Sequence, residues 1–276
     1  MRYLNVGSRP KGSFVSGKAG EQVPDLVLLE DDAAGHVAQY VRTLAQLPVE
    51  PRWILIGGLA VNVRIERIHR ATNDVDTVTH DQTRFVEVLL SLPTTESLST
   101  AKVQFHNPDV EVDVLASTEG TRLPIREADR AFALARRFAM CTASPVRICA
   151  VSPSTGLIDD SVTIEVASRA ALIALKTLSF PERKDGRHPQ KVGSDVQDLY
   201  RLIVGQSLDS LVELISEGGH VLSTYVGGIL SKNFTLGSSD LRYGFARLQR
   251  LASNIDASTI SEEGLSLLGV LGAALE

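Results

Sequence analysis

Residues 53–76 read WILIGGLAVNVRIERIHRATNDVD, a stretch in which the predicted secondary structure changes three times. The apolar run from Trp53 to Ile56 predicts a short buried strand, and the pair Gly57-Gly58 ends it. The next residues, Leu59 to Ile68, predict a helix, and Asp74 to Val78 predict a second strand. This order of strand, glycine turn, helix and strand indicates an α/β protein.

Two carboxylates, those of Asp74 and Asp76, lie on the second predicted strand. Side chains two residues apart on a strand point to the same face, so these carboxylates repel each other unless a cation lies between them. Mg²⁺ prefers such oxygen ligands together with substrate phosphates, and a pair of ions can activate a hydroxyl and stabilise a leaving pyrophosphate. The Asp-x-Asp pair therefore predicts a Mg²⁺ site suited to nucleotidyl transfer.

A third acidic strand is predicted from Val110 to Leu115. Asp113 faces opposite to its valine neighbours and is the candidate that would orient or deprotonate the acceptor hydroxyl. Glu111 shares this face with Asp113. The sequence therefore leaves both carboxylates open for the role of the third acidic group.

The glycine pair between the first strand and the first helix suits phosphate binding. Gly57 and Gly58 permit a close approach of the backbone, and the N-terminus of the following helix offers free N–H groups to a triphosphate. Taken singly, an Asp-x-Asp strand can be a solvated sheet edge, and a glycine pair can be an ordinary turn. Their joint order is much less expected by chance, and it favours an NTP site.

The same residues carry a family resemblance. Residues 56–60, IGGLA, and residues 70–76, RATNDVD, resemble the first motif of the DNA-polymerase-β-like nucleotidyltransferases, and within them the AbiEii/MenT toxins. The run from Ala171 to Lys176, followed by Asp195 and Asp198, is similar to the lysine helix and the Asp-x-x-Asp-Leu helix of this family. The resemblance covers about residues 50–205.

The resemblance implies roles for two residues of the second stretch. Lys176 would hold the nucleotide phosphates, and Asp198 would support the active site. Thr72, beside the Asp-x-Asp pair, is a further candidate to contact phosphate or to add a ligand. Gly58 departs from the family, because many relatives have Ser there, and this leaves only backbone amides to meet phosphate.

The residues of the second stretch also allow a purely structural interpretation. Lys176 lies in an apolar run and needs either an anion or a route to solvent, so a lysine that snorkels from the edge of the core is the alternative. The two acidic residues that follow can form surface ion pairs along their own helix. These pairs would join Asp195 and Asp198 to Lys191 and Arg201.

For this family the resemblance implies a toxin of a toxin–antitoxin pair that transfers NMP from an NTP to the 3′ end of tRNA and so blocks translation. A cognate antitoxin would be its protein partner, and Mg²⁺ would be its cofactor. Two alternatives stay open. The same fold can act on a protein side chain, by NMPylation or by phosphorylation of the antitoxin, or the chain can be a catalytically inactive protein that binds a nucleotide or a partner.

The overall charge of the chain limits how it can meet RNA. The 28 basic and 33 acidic residues give a formal charge of -5 and a pI near 5.7. This excludes binding to nucleic acid by bulk charge, so an RNA substrate needs a local basic patch. Arg122, Arg126 and Arg130 recur at helical spacing and are the candidate RNA surface, with a solvated helix face as the alternative.

Cysteine content and hydropathy predict the compartment. Two cysteines, Cys141 and Cys149, cannot form a secreted disulfide framework. The sequence contains no recognisable signal-peptide pattern and no apolar run long enough to span a bilayer. We therefore expect a cytoplasmic protein with no membrane partner.

The chain divides by composition into three parts. Residues 1–24, rich in Gly, Ser and Lys, predict a flexible N-terminal arm, and residues 25–155 predict a small mixed-sheet nucleotidyltransferase domain. Residues 156–276 predict an all-helical C-terminal domain, because nearly all of the chain after Ala167 has helical periodicity. Further predicted elements are strands at Lys102–Phe105 and Val162–Val166 and a helix over residues 122–140.

Overall fold

A mixed β-sheet forms the centre of the fold. The computed structural model describes residues 24–31, 35–70, 72, 74–106, 108–118, 123–186, 191–251 and 258–276. The strands are β1 (Asp25–Glu30), β2 (Trp53–Ile56), β3 (Asp74–Thr79), β4 (Thr95–Ser99), β5 (Lys102–His106), β6 (Asp109–Ala116), β7 (Ser144–Val151) and β8 (Ile158–Val166). They form one eight-stranded sheet in the order β1-β7-β8-β2-β3-β6-β5-β4.

Helices lie against this sheet and then continue alone to the C-terminus. They are α1 (His36–Gln46), α2 (Gly57–Arg64), α3 (Gln82–Leu90), α4 (Glu127–Thr142), α5 (Arg169–Asp185), α6 (Lys191–Ile203), α7 (Leu208–Ser216), α8 (His220–Phe234), α9 (Ser239–Gln249) and α10 (Glu262–Leu275). The predicted α/β fold class, a mixed sheet followed by a helical C-terminal region, is confirmed. Among the described residues, we find no helix with the length and apolar character needed to cross a bilayer.

The four residues of β2 are all buried, which makes it a central strand. The ring of Trp53 stacks on Phe85 of α3, with the ring centroids 6.0 Å apart. Ile54 and Ile56 alternate to the opposite face of the strand, and α4 packs against the sheet at β2 and β3. The sheet is therefore covered by helices at this point, and the turn after Ile56 opens directly into α2.

The register between β3 and β6 brings acidic residues from two strands together. These strands pair in parallel, with Asp76 opposite Asp113 and Asp74 opposite Glu111. Val75 points to the other face and is fully buried. Because alternate side chains share a face, the pairing places the acidic side chains of both strands on one face of the sheet.

Three strands, β1, β4 and β7, are additional to those that the sequence predicts. β4 has the polar sequence TESLS, and it is largely exposed at one edge of the sheet. β1 forms the other edge and buries only two of its six side chains, Val27 and Leu29. An edge strand buries few apolar side chains, so its period-two signal is weak.

The sheet continues beyond the predicted domain boundary after residue 155. β8 begins at Ile158 and pairs antiparallel with β7, so the all-helical region begins at Arg169 rather than at residue 156. The division into domains itself stays a prediction. Residues 1–23 of the predicted arm lie outside the described residues, as does Arg122 of the predicted basic helix, which begins at Glu127.

Candidate active site

Three carboxylates meet where β3 and β6 run side by side. Ligand atoms of Asp74, Asp76 and Asp113 all lie within 4.8 Å of one another. Lys102 on β5 contacts the third of them, with Nζ 2.7 Å from Asp113 Oδ1, and it also forms an ion pair with Glu111. In the described part of the chain, Asp113 rather than Glu111 therefore completes the cluster.

The cluster is electrostatically unfavourable without a cation. Burial, and after it the negative charge of Asp74, raises the pKa of Asp76 to about 6. Burial also raises the pKa of Asp113, against the opposing effect of Lys102. A group of carboxylates of this kind is balanced by a divalent cation, and a carboxylate with a raised pKa is suited to accept a proton near neutral pH.

Gly57 makes room for the second carboxylate. Its φ is +73°, and a β-carbon built there would overlap Asp76 Oδ2. Gly58 is confined less severely, since its β-carbon would lie 2.6 Å from an Nη of Arg70 and 3.2 Å from Thr72 Oγ1. A serine at this position would therefore meet Arg70, which gives a physical reason for glycine here.

Thr72 positions the first carboxylate of the pair. Its hydroxyl lies 3.0 Å from Asp74 Oδ1 and 3.2 Å from the Asp74 carbonyl oxygen. The Tyr40 hydroxyl in turn donates to the Thr72 carbonyl oxygen, which ties this segment to α1. Thr72 therefore lies where the sequence predicts a contact to phosphate or metal, and its observed partner is the Asp74 carboxylate.

Lys176 is buried in an ion-pair network between α5 and α6. Its Nζ lies 2.8 Å from Asp198 Oδ2 and 3.1 Å from Asp195 Oδ1, and Asp195 also pairs with Arg183. The structural alternatives from the sequence are wrong, because Lys176 does not snorkel to solvent and the two aspartates bind cations from other elements. Lys191 instead lies 3.7 Å from Asp74 Oδ2.

Asp198 is fully buried and contacts three side chains that carry hydrogen-bond donors. Arg70 contacts both of its oxygens at 2.7 Å, His69 Nε2 lies 2.7 Å away, and Lys176 completes the set. Burial alone would raise the pKa of Asp198, but Lys176 and Arg70 hold it well below its usual range. Asp198 therefore fixes the orientation of Arg70 and Lys176 from behind the site.

The residues of the first motif and of the lysine helix line one polar cavity of about 170 Å³, which we call the phosphate cavity. Four cationic side chains and two carboxylates contribute to its wall, and the buried Asp195 and Asp198 hold three of these cations from behind. Such a cavity beside a helix N-terminus suits a triphosphate. Its lining residues are Gly58, Arg70, Thr72, Asp74, Asp76, Lys176, Arg183, Lys191 and Ser194.

The sequence assigns no role to two residues that the structure places in this network, Arg70 and His69. Arg70 lies in the quoted motif, two residues before Thr72. An arginine so close to the Asp-x-Asp pair is the feature of the sequence that could have indicated a role for it. His69 Nδ1 lies 2.5 Å from Asn62 Oδ1. A single histidine without a partner nearby in the sequence gives no signal, so only the fold reveals its contact with Asp198.

The candidate RNA surface on α4 is only partly described. Arg126 is largely exposed at the N-terminus of the helix, 3.7 Å from Asp129, and Arg130 donates to the Pro124 carbonyl oxygen. Arg136 turns away from this surface, and its guanidinium lies 5.9 Å from the centre of the Phe132 ring. Arg126 and Arg130 therefore remain available as a basic surface, and their role stays a prediction.

Clustered carboxylates beside a cationic cavity are typical of enzymes that act on nucleoside triphosphates. The model of the nucleotidyl transferase AbiEii toxin family, type IV toxin–antitoxin system, matches residues 39–217. This is more than half of the chain, and the chain belongs to this family. It is a nucleotidyltransferase, and its family is one of toxins of toxin–antitoxin systems.

Two solved structures are similar to this chain at low identity. An antigenic nucleotidyltransferase-like protein from Paracoccidioides brasiliensis is 18% identical, with 69% of this chain and 91% of that chain covered and a TM-score of 0.39. The antibiotic-resistance factor ANT(2'')-Ia is 14% identical, with 66% and 87% covered and a TM-score of 0.35. None of the curated proteins matches this sequence. The assignment therefore depends on the family model.

Proposed function

We propose that this chain transfers NMP from an NTP to the 3′ end of a tRNA and so blocks translation, under the control of a cognate antitoxin. The observation that carries the proposal is the cluster of Asp74, Asp76 and Asp113, two of which line the phosphate cavity. The family gives the toxin–antitoxin context. NTP and tRNA as substrates place the reaction in the cytoplasm.

The donor set of the cluster fits Mg²⁺. Carboxylate oxygens from three residues are the hard ligands that this ion prefers. Burial, and after it the charge of Asp74, raises the pKa of Asp76, and a bound cation would offset both effects. Asp74 and Asp76 would hold the ion, with Asp113 beside them. When bound, Mg²⁺ neutralises charge on the phosphates and stabilises the leaving pyrophosphate.

The side chains of the phosphate cavity bind and orient the triphosphate. Lys176 and Lys191 donate to phosphate oxygens, and Gly58, in the first turn of α2, lines the same cavity and offers its backbone N–H. Asp113 takes the proton of the acceptor hydroxyl as the hydroxyl oxygen bonds to the α-phosphorus. The bond from the α-phosphorus to the bridging oxygen breaks, and pyrophosphate leaves with that electron pair.

The basic surface at the start of α4 supports an RNA acceptor. Arg126 and Arg130 are both exposed and offer guanidinium groups to a phosphate backbone. An acidic protein that acts on RNA needs a local surface of this kind. The choice of the tRNA 3′ end depends on the family resemblance, and it is the part of the proposal that most needs a direct test.

The test is an incubation of the purified protein with total tRNA, Mg²⁺ and each α-³²P-NTP in turn. We expect label in tRNA with the wild-type protein, and loss of this label in Asp76→Asn, which keeps the shape of the side chain and removes its charge. The matched control is Asp209→Asn, on an exposed residue of α7. This variant should label tRNA like the wild type.

Parallel reactions with γ-³²P-NTP separate the competing activities. Label from α-³²P-NTP in protein rather than in tRNA would move the acceptor to a side chain. Label from γ-³²P-NTP in the antitoxin would indicate phosphorylation. Either result, or equal labelling of tRNA by Asp76→Asn and wild type, would contradict the proposal.

A further inference from the structure

A second cavity, of about 210 Å³, adjoins the phosphate cavity at Asp76. The two cavities share Asp76, Lys176 and Arg183 in their walls. Pockets that enclose a whole drug-sized ligand usually measure about 300–1,000 Å³. Each of these cavities is smaller, so together they suit a ligand that has one part in each.

The walls of the second cavity differ from those of the phosphate cavity. Apolar side chains from four elements form one part of the wall: Ile56 of β2, Leu115 of β6, Phe132 of α4, and Leu172 and Leu175 of α5. Charged side chains, Glu182 among them, form much of the rest. Phe132 is only partly buried and lines the cavity. A cavity with apolar side chains, an aromatic ring and a few polar groups in its wall is suited to a flat, aromatic group that also has polar edges.

One buried polar atom of the wall has no hydrogen-bond partner among the described residues. Arg136 lies over the Phe132 ring at 5.9 Å, and one of its Nη atoms lies 3.3 Å from the Ala116 carbonyl oxygen. Its Nε is buried and has no hydrogen-bond partner among the residues that the structure describes. A buried donor without an acceptor is unfavourable and points to an acceptor supplied by a ligand.

We propose that the second cavity binds the nucleobase of the donor NTP. Phe132 contacts the base, and Arg136 donates a hydrogen bond to an acceptor atom on the edge of the base. This inference depends on the proposed function, since it assumes that the phosphate cavity holds the triphosphate. A nucleotide is aromatic at one end and anionic at the other. The cavity with Phe132 in its wall suits the aromatic end, and the adjoining phosphate cavity suits the anionic end. Their shared wall at Asp76 places the α-phosphate next to the carboxylates.

This arrangement also assigns the direction from which the acceptor arrives. Asp113 has its Lys102 neighbour on the side towards β5, and the Lys102 side chain is 41% exposed. That side is separate from both cavities, because Lys102 and Asp113 are not among the residues that line them. The acceptor hydroxyl therefore reaches Asp113 without displacing the donor base.

The test compares two probes, inorganic tripolyphosphate and each of the four NTPs, by calorimetric titration with Mg²⁺ and without an acceptor. Phe132→Ala should leave the affinity for tripolyphosphate unchanged. It should weaken binding of the best NTP by about 5- to 150-fold, the range for loss of one base–aromatic stack. Phe245→Ala is the matched control, because Phe245 is a partly buried residue of α9 outside both cavities.

A second variant tests the cavity without removing the phenylalanine. Ser179 lies in the wall of the second cavity, and its hydroxyl bonds only to carbonyl oxygens of its own helix in the described structure. Ser179→Phe should fill the cavity and abolish the advantage of NTP over tripolyphosphate. Its binding of tripolyphosphate, unchanged from wild type, shows that the fold is intact.

Three results would overturn the inference. Both variants could bind NTP like the wild type, or both could lose tripolyphosphate and NTP in parallel. In the tRNA-labelling assay, they could instead change KM for tRNA alone. The last result would assign the cavity to a base of the acceptor. Failure of the proposed function is distinguishable, because it appears as a lack of label in tRNA, whereas these titrations measure NTP binding without an acceptor.

Discussion

Gly57 and Asp76 are in such close contact that residue 57 has no space for a side chain. A β-carbon at this position would overlap Asp76 Oδ2, and the φ of +73° is unfavourable for any residue with a β-carbon. The turn that ends β2 therefore allows the second carboxylate to reach the cluster. One glycine thus links the backbone conformation at residue 57 to the geometry of the candidate metal site.

Gly57→Ala should therefore abolish nucleotidyl transfer. The new methyl group displaces the Asp76 carboxylate, and the left-handed backbone adds a strain of about 1–2 kcal/mol. Gly156→Ala is the matched control, because Gly156 has a φ of +69° and no atom within 4 Å of the added carbon. Both variants should melt at a lower temperature, and only Gly57→Ala should lose label transfer. Equal activity of the two would show that the contact with Asp76 does not matter.

Asp198→Asn should destabilise the fold strongly. It leaves the buried cations of Arg70 and Lys176 without their shared anion, and removal of one partner from a buried ion pair typically costs about 3–5 kcal/mol. Urea unfolding measures this loss. The exposed Asp209→Asn should change the free energy of unfolding by less than about 0.5 kcal/mol. A small effect at residue 198 would mean that the network contributes little to stability.

Lys191→Ala should weaken triphosphate binding without loss of stability. Lys191 is about half exposed and 3.7 Å from Asp74 Oδ2, so its ion pair contributes only about 0–1 kcal/mol. A hydrogen bond from an ammonium to phosphate is worth more, and we expect Kd for tripolyphosphate to rise about 10-fold or more. Lys232→Ala, on an exposed residue of α8, is the control. If both variants bind equally well, Lys191 does not meet phosphate.

The raised pKa of Asp76 predicts how stability changes with pH. Folding raises this pKa from 3.8 to about 6, so the metal-free folded protein holds the proton more tightly than the unfolded chain. The contribution of protonated Asp76 to the free energy of unfolding is fully present below about pH 4, and it is lost as the pH rises through about 6. Mg²⁺ needs the anion, so its addition should raise the melting temperature more at pH 7 than at pH 5.

Calorimetric scans with EDTA or with Mg²⁺ at both pH values check this expectation. Asp76→Asn lacks the titrating group and should show a smaller difference between the two pH values. The assignment to Asp76 would fail if the variant and the wild type gave the same pH dependence.

Replacement of Arg126 and Arg130 by Ala should raise KM for tRNA and leave KM for NTP unchanged. Each lost phosphate contact should also make the fall of log K for tRNA binding with log salt concentration less steep, by about 1 in the slope. The control is the double replacement of Arg242 and Arg250, exposed residues on and just after α9. Filter binding at several salt concentrations provides the measurement. Identical slopes for the two double variants would remove α4 from the RNA surface.

Elements with strong local patterns could be predicted from the sequence. β2 is a continuous apolar run that a glycine pair ends, and Asp74 and Asp76 share a face because β3 is extended. β4 and β1 could not be predicted in the same way. Their stability depends on pairing with β5 and β7, so their own side chains carry little apolar periodicity.

The sequence by itself determined the order of strand, turn and helix, the shared face of Asp74 and Asp76, and the presence of a lysine in an apolar helix. These properties follow from backbone periodicity over a few residues. Only the tertiary structure decided that Asp113 joins the pair, because the register of β3 against β6 sets which side chains become neighbours. It also decided that Asp198 binds Arg70 across 128 residues of sequence, since a buried carboxylate takes the cations that the packed helices bring to it.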